Sequence, residues 1–104
     1  MKLLKDIHNR QIRLTDERQE HIELDHPEMS GQLGKIRETL LRPIVIVRSR
    51  TDLDVELFYW HYDVTPVNEK YLCVVVKVLT GSLFIITAYF TDTIKRGEVL
   101  WESK

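Results

Sequence analysis

The sequence predicts an α+β domain in which two N-terminal helices pack on one face of a four-stranded antiparallel sheet, giving two layers. Two stretches with helical features come first in the chain, and four stretches rich in β-branched and aromatic residues follow them. Because the connections between those four stretches are short, neighbouring strands should pair antiparallel. Helices that precede the strands, instead of alternating with them, favour a sheet covered by helices on one face.

The first helix is predicted over residues 15–26. Thr15 is a suitable N-cap, and the acidic residues directly after it favour the positive end of the helix dipole. Pro27 disfavours helical geometry at His26, so the helix should end there. Its apolar residues are few, and no broad hydrophobic stripe is available to hold this helix to a core.

A second helix is indicated by four apolar residues spaced four, three and four apart, which places them on one narrow stripe of a helix. The proline at position 43 ends this helix. We expect the stripe to pack on the sheet and to form part of the core. Its members are Met29, Leu33, Ile36 and Leu40.

Four strands are predicted at residues 44–50, 55–62, 71–79 and 83–90. The register of the last two depends on the length of the hairpin loop between them. A three-residue loop at 80–82 collects the alternating apolar residues on one face and leaves Lys77, Thr87 and Tyr89 together on the other. A two-residue loop would place Lys77 in the apolar set, which costs several kcal/mol when the lysine has no partner. We therefore expect the three-residue loop.

The composition fits one small domain, residues 1–104, with residues 1–11 as an N-terminal lead-in. The chain is 43% hydrophobic and 30% charged, and its only cysteine is Cys73. One cysteine excludes an intrachain disulfide and a multi-cysteine zinc site. No apolar run approaches the ~20 residues of a membrane span, so we expect a soluble, cytoplasmic protein with no membrane partner. The net charge of −1 disfavours a protein that coats nucleic acid by bulk charge.

The sheet face that carries Lys77, Thr87 and Tyr89 is the most informative surface. Its remaining residues are too apolar for plain exposure to solvent, yet it holds a cation and two hydroxyl groups. Two interpretations follow, and the residues leave both open. The face either packs against a partner chain or forms the floor of a shallow active-site groove.

No cofactor or metal site is indicated by the sequence. It contains no glycine-rich phosphate loop, HExxH motif or nucleophile elbow. His21 and His26 are five residues apart, about 140° around a helix, so they cannot share one ion. The remaining polar groups suit RNA cleavage by the ribose 2′-OH, which needs an acid, a base and fixed positive charge. Histidine suits the first two tasks and lysine or arginine the third.

Seven segments of the chain carry a resemblance to a known family: residues 14–22, His26-Pro27-Glu28, residues 36–43, Arg48-Ser49-Arg50, residues 71–78 with Lys77, residues 86–89 and residues 94–98. Together they resemble the phage-type domains of the barnase–EndoU–colicin–RelE nuclease superfamily. The resemblance covers residues 12–101. It implies N-terminal helices on a four-stranded antiparallel sheet, and metal-independent endoribonuclease activity of the kind found in toxins of conflict systems.

The resemblance also assigns roles to six residues. They are His21 or His26 as the acid and base, Arg48 and Lys77 as phosphate clamps, and Thr87 and Tyr89 as a polar pair on the last strand. The implied partners are an RNA substrate and a cognate protein inhibitor or a second copy of the chain, with no cofactor and no metal.

The alternative is a degenerate, non-catalytic member that binds a protein through the face of Lys77, Thr87 and Tyr89. The acidic first helix and the slightly negative net charge favour this alternative. A nucleic-acid-binding regulator is a third possibility. The sequence places Lys95 and Arg96 in a solvated turn, with contact to RNA as the alternative.

Overall fold

Seven strands form one mixed sheet, with two α-helices on one of its faces, in a computed structural model that describes residues 1–104. The strand order is β1-β2-β6-β5-β4-β3-β7. All neighbours are antiparallel except β2 and β6, which meet in parallel through the single pair Arg13 and Phe84. The elements are β1 Lys2–Lys5, β2 Gln11–Leu14, α1 Asp16–Asp25, a 3-10 helix Pro27–Met29, α2 Leu33–Leu41, β3 Val45–Arg48, β4 Val55–Tyr62, β5 Lys70–Leu79, β6 Ser82–Thr91 and β7 Val99–Glu102.

The predicted four-stranded antiparallel sheet is wrong, because three further strands extend it and one of the pairings is parallel. The four predicted strands correspond to β3, β4, β5 and β6, which lie side by side in the middle of the sheet. The additional strands β1, β2 and β7 have four residues each. Four residues show at most two periods of alternation, too few to separate a strand from a loop by sequence pattern. Residues 2–5, expected in a lead-in, form the edge strand β1.

Helix α1 begins and ends where its sequence signals place it. The Thr15 hydroxyl accepts a hydrogen bond from the Arg18 backbone N–H at 3.1 Å, which satisfies one of the free donors of the first turn. His26 is the C-cap, and Pro27 starts the 3-10 helix directly after it. Ile22 is the one buried residue of α1, so the helix is attached to the sheet through a small contact.

The hairpin between β5 and β6 has a two-residue loop, so the predicted three-residue loop is wrong. Leu79 pairs with Ser82, and Gly81 in the loop adopts a φ of +73°, a conformation that favours glycine. Near this turn Lys77 therefore pairs with Phe84. A bulge between Val75 and Val76 then shifts the register by one residue.

Beyond the bulge the predicted register is restored. Val75 pairs with Thr87 and Cys73 pairs with Tyr89. A bulge adds one residue to one strand, and here it allows the glycine turn without moving the buried valines of β5 out of the core. Its consequence is that Ile85 packs in the core, whereas Ile86 packs on the opposite face.

Both faces of the sheet carry a hydrophobic cluster. The larger cluster lies between the sheet and the helices and includes Ile22, Ile36 and Phe58. The smaller cluster lies on the opposite face and consists of Val45, Val47, Val55, Leu57, Tyr59 and Cys73. Neither helix offers an apolar stretch of the length that a bilayer crossing requires.

A buried ionic network attaches the β1–β2 hairpin to β4. The Asp6 side chain is fully buried and accepts hydrogen bonds from the Arg10 backbone N–H at 2.8 Å and from Arg10 Nε at 2.7 Å. Arg10 Nη2 also donates to Glu56 Oε1 at 2.7 Å. Burial alone would lower the pKa of Arg10, but its hydrogen bonds to the two carboxylates outweigh that effect and raise the pKa. Glu56 is thus already neutralised.

Candidate functional site

A groove of about 410 Å³ lies on the sheet face opposite the helices, and we call it the sheet groove. Its floor is formed by β4, β5 and β6, one wall by the segment that follows β3, and the other wall by the segment that precedes β7. Its lining residues are Ser49, Arg50, Thr51, Asp52, Val55, Leu57, Val75, Thr87, Tyr89, Lys95 and Arg96. Three distant parts of the chain therefore build this one surface.

The sheet groove is basic, although the whole chain carries a net charge of −1. Arg50, Lys95 and Arg96 line it, and none of them is paired with a carboxylate. Asp52 is its one acidic residue. The acidic helix α1 packs on the other side of the sheet through Ile22. The fold thus separates the two charges, and a concave surface with clustered cations concentrates a positive potential.

The wall that carries Lys95 and Arg96 is held by a buried tyrosine. Tyr59 of β4 is fully buried, and its hydroxyl accepts a hydrogen bond from the Lys95 backbone N–H at 3.1 Å. Burial, together with the neighbouring Cys73 thiol, raises the pKa of Tyr59, so its hydroxyl stays protonated at neutral pH. The backbone at Lys95 is therefore fixed over the sheet.

The same wall crosses β3 at very close range. The Arg48 backbone N–H donates to the Glu98 carbonyl oxygen at 2.8 Å. A Cβ atom at Gly97 would overlap the Arg48 carbonyl oxygen and lie 2.7 Å from Val47 Cγ1. Real Cβ atoms are not found so close to other atoms, so only glycine allows the chain to pass here.

Arg48, predicted as a phosphate clamp, joins the two walls and does not line the groove. Its Nε donates to Glu98 Oε1 at 2.8 Å, and its Nη1 donates to the Leu53 carbonyl oxygen at 2.9 Å. One guanidinium group thereby connects the segment after β3 to the segment before β7. Arg50, two residues later, lines the groove instead.

Lys77, also predicted as a phosphate clamp, forms an ion pair at the end of the groove. Its Nζ lies 2.5 Å from Asp52 Oδ2. The hydrogen bond from Lys77 lowers the pKa of Asp52, and the backbone N–H of Asp54 contributes in the same direction. The ammonium group is thus paired with a carboxylate and is not a free cation. Glu56, on the neighbouring strand β4, is bound to Arg10 and is not paired with Lys77.

The structure brings His26, Thr87 and Tyr89 together. Thr87 and Tyr89 line the groove, and the His26 ring lies 5.5 Å from the Tyr89 ring, centre to centre. His26 itself does not line the groove. It contacts Tyr89 where α1 and the 3-10 helix pack beside β6, beyond the one position at which β2 pairs with that strand. Lys95 Nζ lies 6.0 Å from the centre of the Tyr89 ring.

Tyr89 is a hydrogen-bond donor at neutral pH. Burial is the main cause that raises the pKa of Tyr89, and the adjacent Cys73 thiol adds to it. The donor set of the whole groove fits an anion better than a metal ion, because it combines three cations and four hydroxyl groups with one carboxylate that is already paired. Guanidinium, ammonium and hydroxyl groups are the usual partners of phosphate oxygens.

No protein-family model, no curated protein and no solved structure matches the chain.

His21 lies apart from the residues gathered at the groove. Its side chain is 55% exposed, and its Nε2 is 3.9 Å from Glu17 Oε1 on the same helix. No contact connects it with the residues that line the groove. Of the two candidate histidines, only His26 touches a groove residue.

Sequence reasoning missed the basic wall at Lys95 and Arg96. The available signal was the glycine at position 97, directly after the two cations. Glycine is the residue used where the backbone approaches another part of the chain closely. Which part it approaches depends on the pairing of β3 with β7. β7 is too short for its pattern to reveal that pairing.

Proposed function

We propose that the sheet groove binds RNA through its phosphates and that the protein cleaves the RNA without a metal ion. The observation that carries the proposal is the convergence of Arg50, Lys95 and Arg96 with the hydroxyls of Thr87 and Tyr89 on one concave surface. Cations there meet the negative charge of a phosphate backbone, and hydroxyl groups can bind its oxygens. The resemblance noted in the sequence is consistent with such a substrate.

Cleavage would begin with attack of a ribose 2′-OH on the adjacent phosphorus. The new O2′–P bond forms while the P–O5′ bond breaks, which leaves a 2′,3′-cyclic phosphate and a free 5′-hydroxyl. His26, in contact with Tyr89, is the candidate base that takes the 2′-OH proton, and the imidazole then returns a proton to the leaving O5′. Arg50 and Arg96 would stabilise the negative charge that develops on the phosphorus oxygens.

The proposal gives Arg48 and Lys77 a positioning role. Arg48 connects the two walls through Glu98 and Leu53, and Lys77 holds Asp52 at the end of one wall. Neither group has to touch a phosphate for the groove to work.

A second candidate is a non-catalytic module that binds another protein on the same face. Two observations favour it. The floor of the groove contains Val55, Leu57 and Val75, which suit an apolar contact, and Lys77 is neutralised by Asp52. In this case the cations at the rim would pair with acidic side chains of the partner, which fixes orientation more than affinity.

The test is a cleavage and binding assay with fluorescent single-stranded RNA in the presence of EDTA. The wild type should cleave the RNA, and His26→Ala should lose about 100-fold or more in rate while RNA still binds. His21→Ala is the matched control, because it removes an exposed imidazole from the same helix. Its rate should equal that of the wild type.

The binding part of the assay uses salt dependence. Each phosphate contact on a single strand contributes about −0.7 to the slope of log K against log salt concentration. Arg50→Ala removes one such contact, so its slope should be less negative than that of the wild type by about 0.7. Arg37→Ala, which removes an exposed arginine from α2, should leave the slope unchanged.

Three results would change the conclusion. Binding with the expected slope but without cleavage would reject the nuclease and leave an RNA-binding module. Unchanged cleavage in His26→Ala would remove His26 from the mechanism. No binding to any of several RNAs, together with a dimer that forms with rising concentration in light scattering, would favour the protein-binding module.

A further inference from the structure

A second cluster of polar side chains lies at the tip of the β4–β5 hairpin. His61 is near the end of β4, Asp63 follows that strand, and Glu69 directly precedes β5. His61 Nδ1 is 3.5 Å from Asp63 Oδ1, and His61 Nε2 is 3.6 Å from Glu69 Oε1. One donor atom from each of the three residues lies within 4.8 Å of the other two.

The cluster is separate from the sheet groove. The groove uses Val55 and Leu57 at the beginning of β4, whereas His61 lies near the other end of that strand. Leu57, the groove residue of β4 nearest to His61 in the sequence, is four residues away, which corresponds to about 13 Å of strand. None of the three side chains lines the groove.

The hairpin itself brings the three side chains together. Tyr62 pairs with Lys70, so the intervening loop begins and ends at neighbouring positions. Within the loop the Thr65 hydroxyl donates to the Asn68 carbonyl oxygen, and Asn68 takes a φ of +75°, which turns the chain back. The two acidic residues at the ends of the loop are thereby placed on either side of the imidazole.

The surroundings of the cluster are negatively charged. Lys70 Nζ lies 2.5 Å from Asp92 Oδ1, so the one cation nearby is already neutralised. The carboxylates of Asp63 and Glu69 carry two negative charges, and no lysine or arginine is paired with them. A cavity of about 200 Å³ is lined by His61 and Glu69, with Asp63 outside its lining, and it has room for an ion with bound water.

The His61 ring is held in place without being buried. It meets the Tyr71 ring edge to face, with the ring centres 5.2 Å apart. Its side chain is 36% exposed, and those of Asp63 and Glu69 are 89% and 69% exposed. The imidazole is thus packed against a neighbouring ring, whereas the two carboxylates are open to solvent and accessible to an ion.

We propose that His61, Asp63 and Glu69 bind a divalent transition metal ion such as Zn²⁺. One imidazole nitrogen and two carboxylate oxygens form a donor set found at zinc sites, with water completing the coordination. The imidazole favours such a metal over Mg²⁺ and Ca²⁺, which prefer oxygen ligands. Asp63 lies beside Nδ1 of His61 and Glu69 lies beside Nε2. A metal ion binds one of these nitrogens, so on binding the carboxylate beside the other nitrogen would turn toward the ion. The bound ion would link the two ends of the loop between β4 and β5, where Asp63 and Glu69 lie.

The test is calorimetric titration of the chain of residues 1–104 with ZnCl₂, together with the melting temperature at each metal concentration. The wild type should bind one ion per chain and melt at a higher temperature with zinc, because a ligand that binds only the folded state stabilises it. Glu69→Gln and His61→Ala should weaken binding by about tenfold or more. MgCl₂ should produce neither effect.

His21→Ala is the matched control, because His21 also lies beside a carboxylate on an exposed surface. It should bind zinc as the wild type does. Equal binding by the wild type and Glu69→Gln, or no binding up to about 1 mM ZnCl₂, would overturn the proposal. Glu69→Gln keeps the shape of an exposed side chain, so a folding defect cannot explain its loss of binding. RNA cleavage in EDTA is independent of this result, so the two proposals can fail separately.

Discussion

At the scale of single residues, the groove depends on buried side chains that never contact a ligand. Tyr59 illustrates this. Its strand pattern predicts an aromatic residue that packs in the sheet, and it is indeed fully buried. The strand pattern does not predict the partner of the Tyr59 hydroxyl, which is the backbone N–H of Lys95, 36 residues away in the chain.

Removing that hydroxyl should weaken both the fold and the groove. In Tyr59→Phe the Lys95 N–H loses its acceptor, which should lower the free energy of unfolding by about 1 kcal/mol and reduce RNA affinity as the wall loosens. Tyr62→Phe is the control, because the Tyr62 hydroxyl donates to Glu38 Oε1 at 2.6 Å on the helix side of the sheet. Urea denaturation should show a similar loss of stability in both variants, and only Tyr59→Phe should lose affinity. Equal RNA affinities would contradict this role.

At the scale of elements, the β5–β6 hairpin shows how a turn and a bulge set the register of two strands. The two-residue loop at Gly81 and the bulge beside Val75 together decide which side chains of β6 enter the core. Hydrophobic alternation predicted the pairing of Cys73 with Tyr89, but it assumed one register for the whole hairpin. A bulge breaks that assumption, and nothing in the local pattern marks its position.

The close contact at Gly97 should not tolerate any side chain. In Gly97→Ala the new methyl group overlaps the Arg48 carbonyl oxygen, so the wall must shift, with a loss of about 1–3 kcal/mol of stability and weaker RNA binding. Gly34→Ala in α2 is the matched control, because open space surrounds that position. It should gain about 0.5–1 kcal/mol from its higher helix propensity. Thermal denaturation separates the two, and a neutral Gly97→Ala would contradict the contact.

At the scale of the whole molecule, the sheet carries a hydrophobic cluster on each face, and these clusters bury several groups that ionise at high pH. Burial raises the pKa of the Cys73 thiol from an ordinary value of 9.0 to about 11. Burial also raises the pKa values of Tyr59, Tyr62 and Tyr89. In each case the unfolded chain releases its proton at a lower pH than the folded protein does.

Stability should therefore fall as the solution becomes alkaline. The contribution of Cys73 is fully present below pH 9.0 and is lost as the pH rises toward about 11, because the unfolded state binds fewer protons in that interval. Urea midpoints measured from pH 7 upward should show the wild type losing stability from about pH 9, and Cys73→Ala should lose less over the same interval. Parallel curves for the two proteins would show that the buried thiol contributes nothing to the pH dependence.

The sequence by itself determined the first helix, the second helix from Leu33 onward, the four central strands and the placement of Thr87 and Tyr89 on one face, because caps, prolines and alternation act over a few residues. Met29, predicted in the stripe of the second helix, lies instead in the 3-10 helix before it. Helix α1, for example, is capped by Thr15 and ends before Pro27 as its signals require. The polar pair of β6 also lies where alternation places it.

Only the tertiary structure decided which charged groups face the groove. The sequence made Arg48 and Lys77 candidates for phosphate contacts, but each has a partner from another segment, Glu98 and Asp52. Local pattern shows which face of a strand a side chain occupies. An ion pair or a backbone contact between distant segments depends on how the strands are ordered in the sheet, and that order is set by packing of the whole chain.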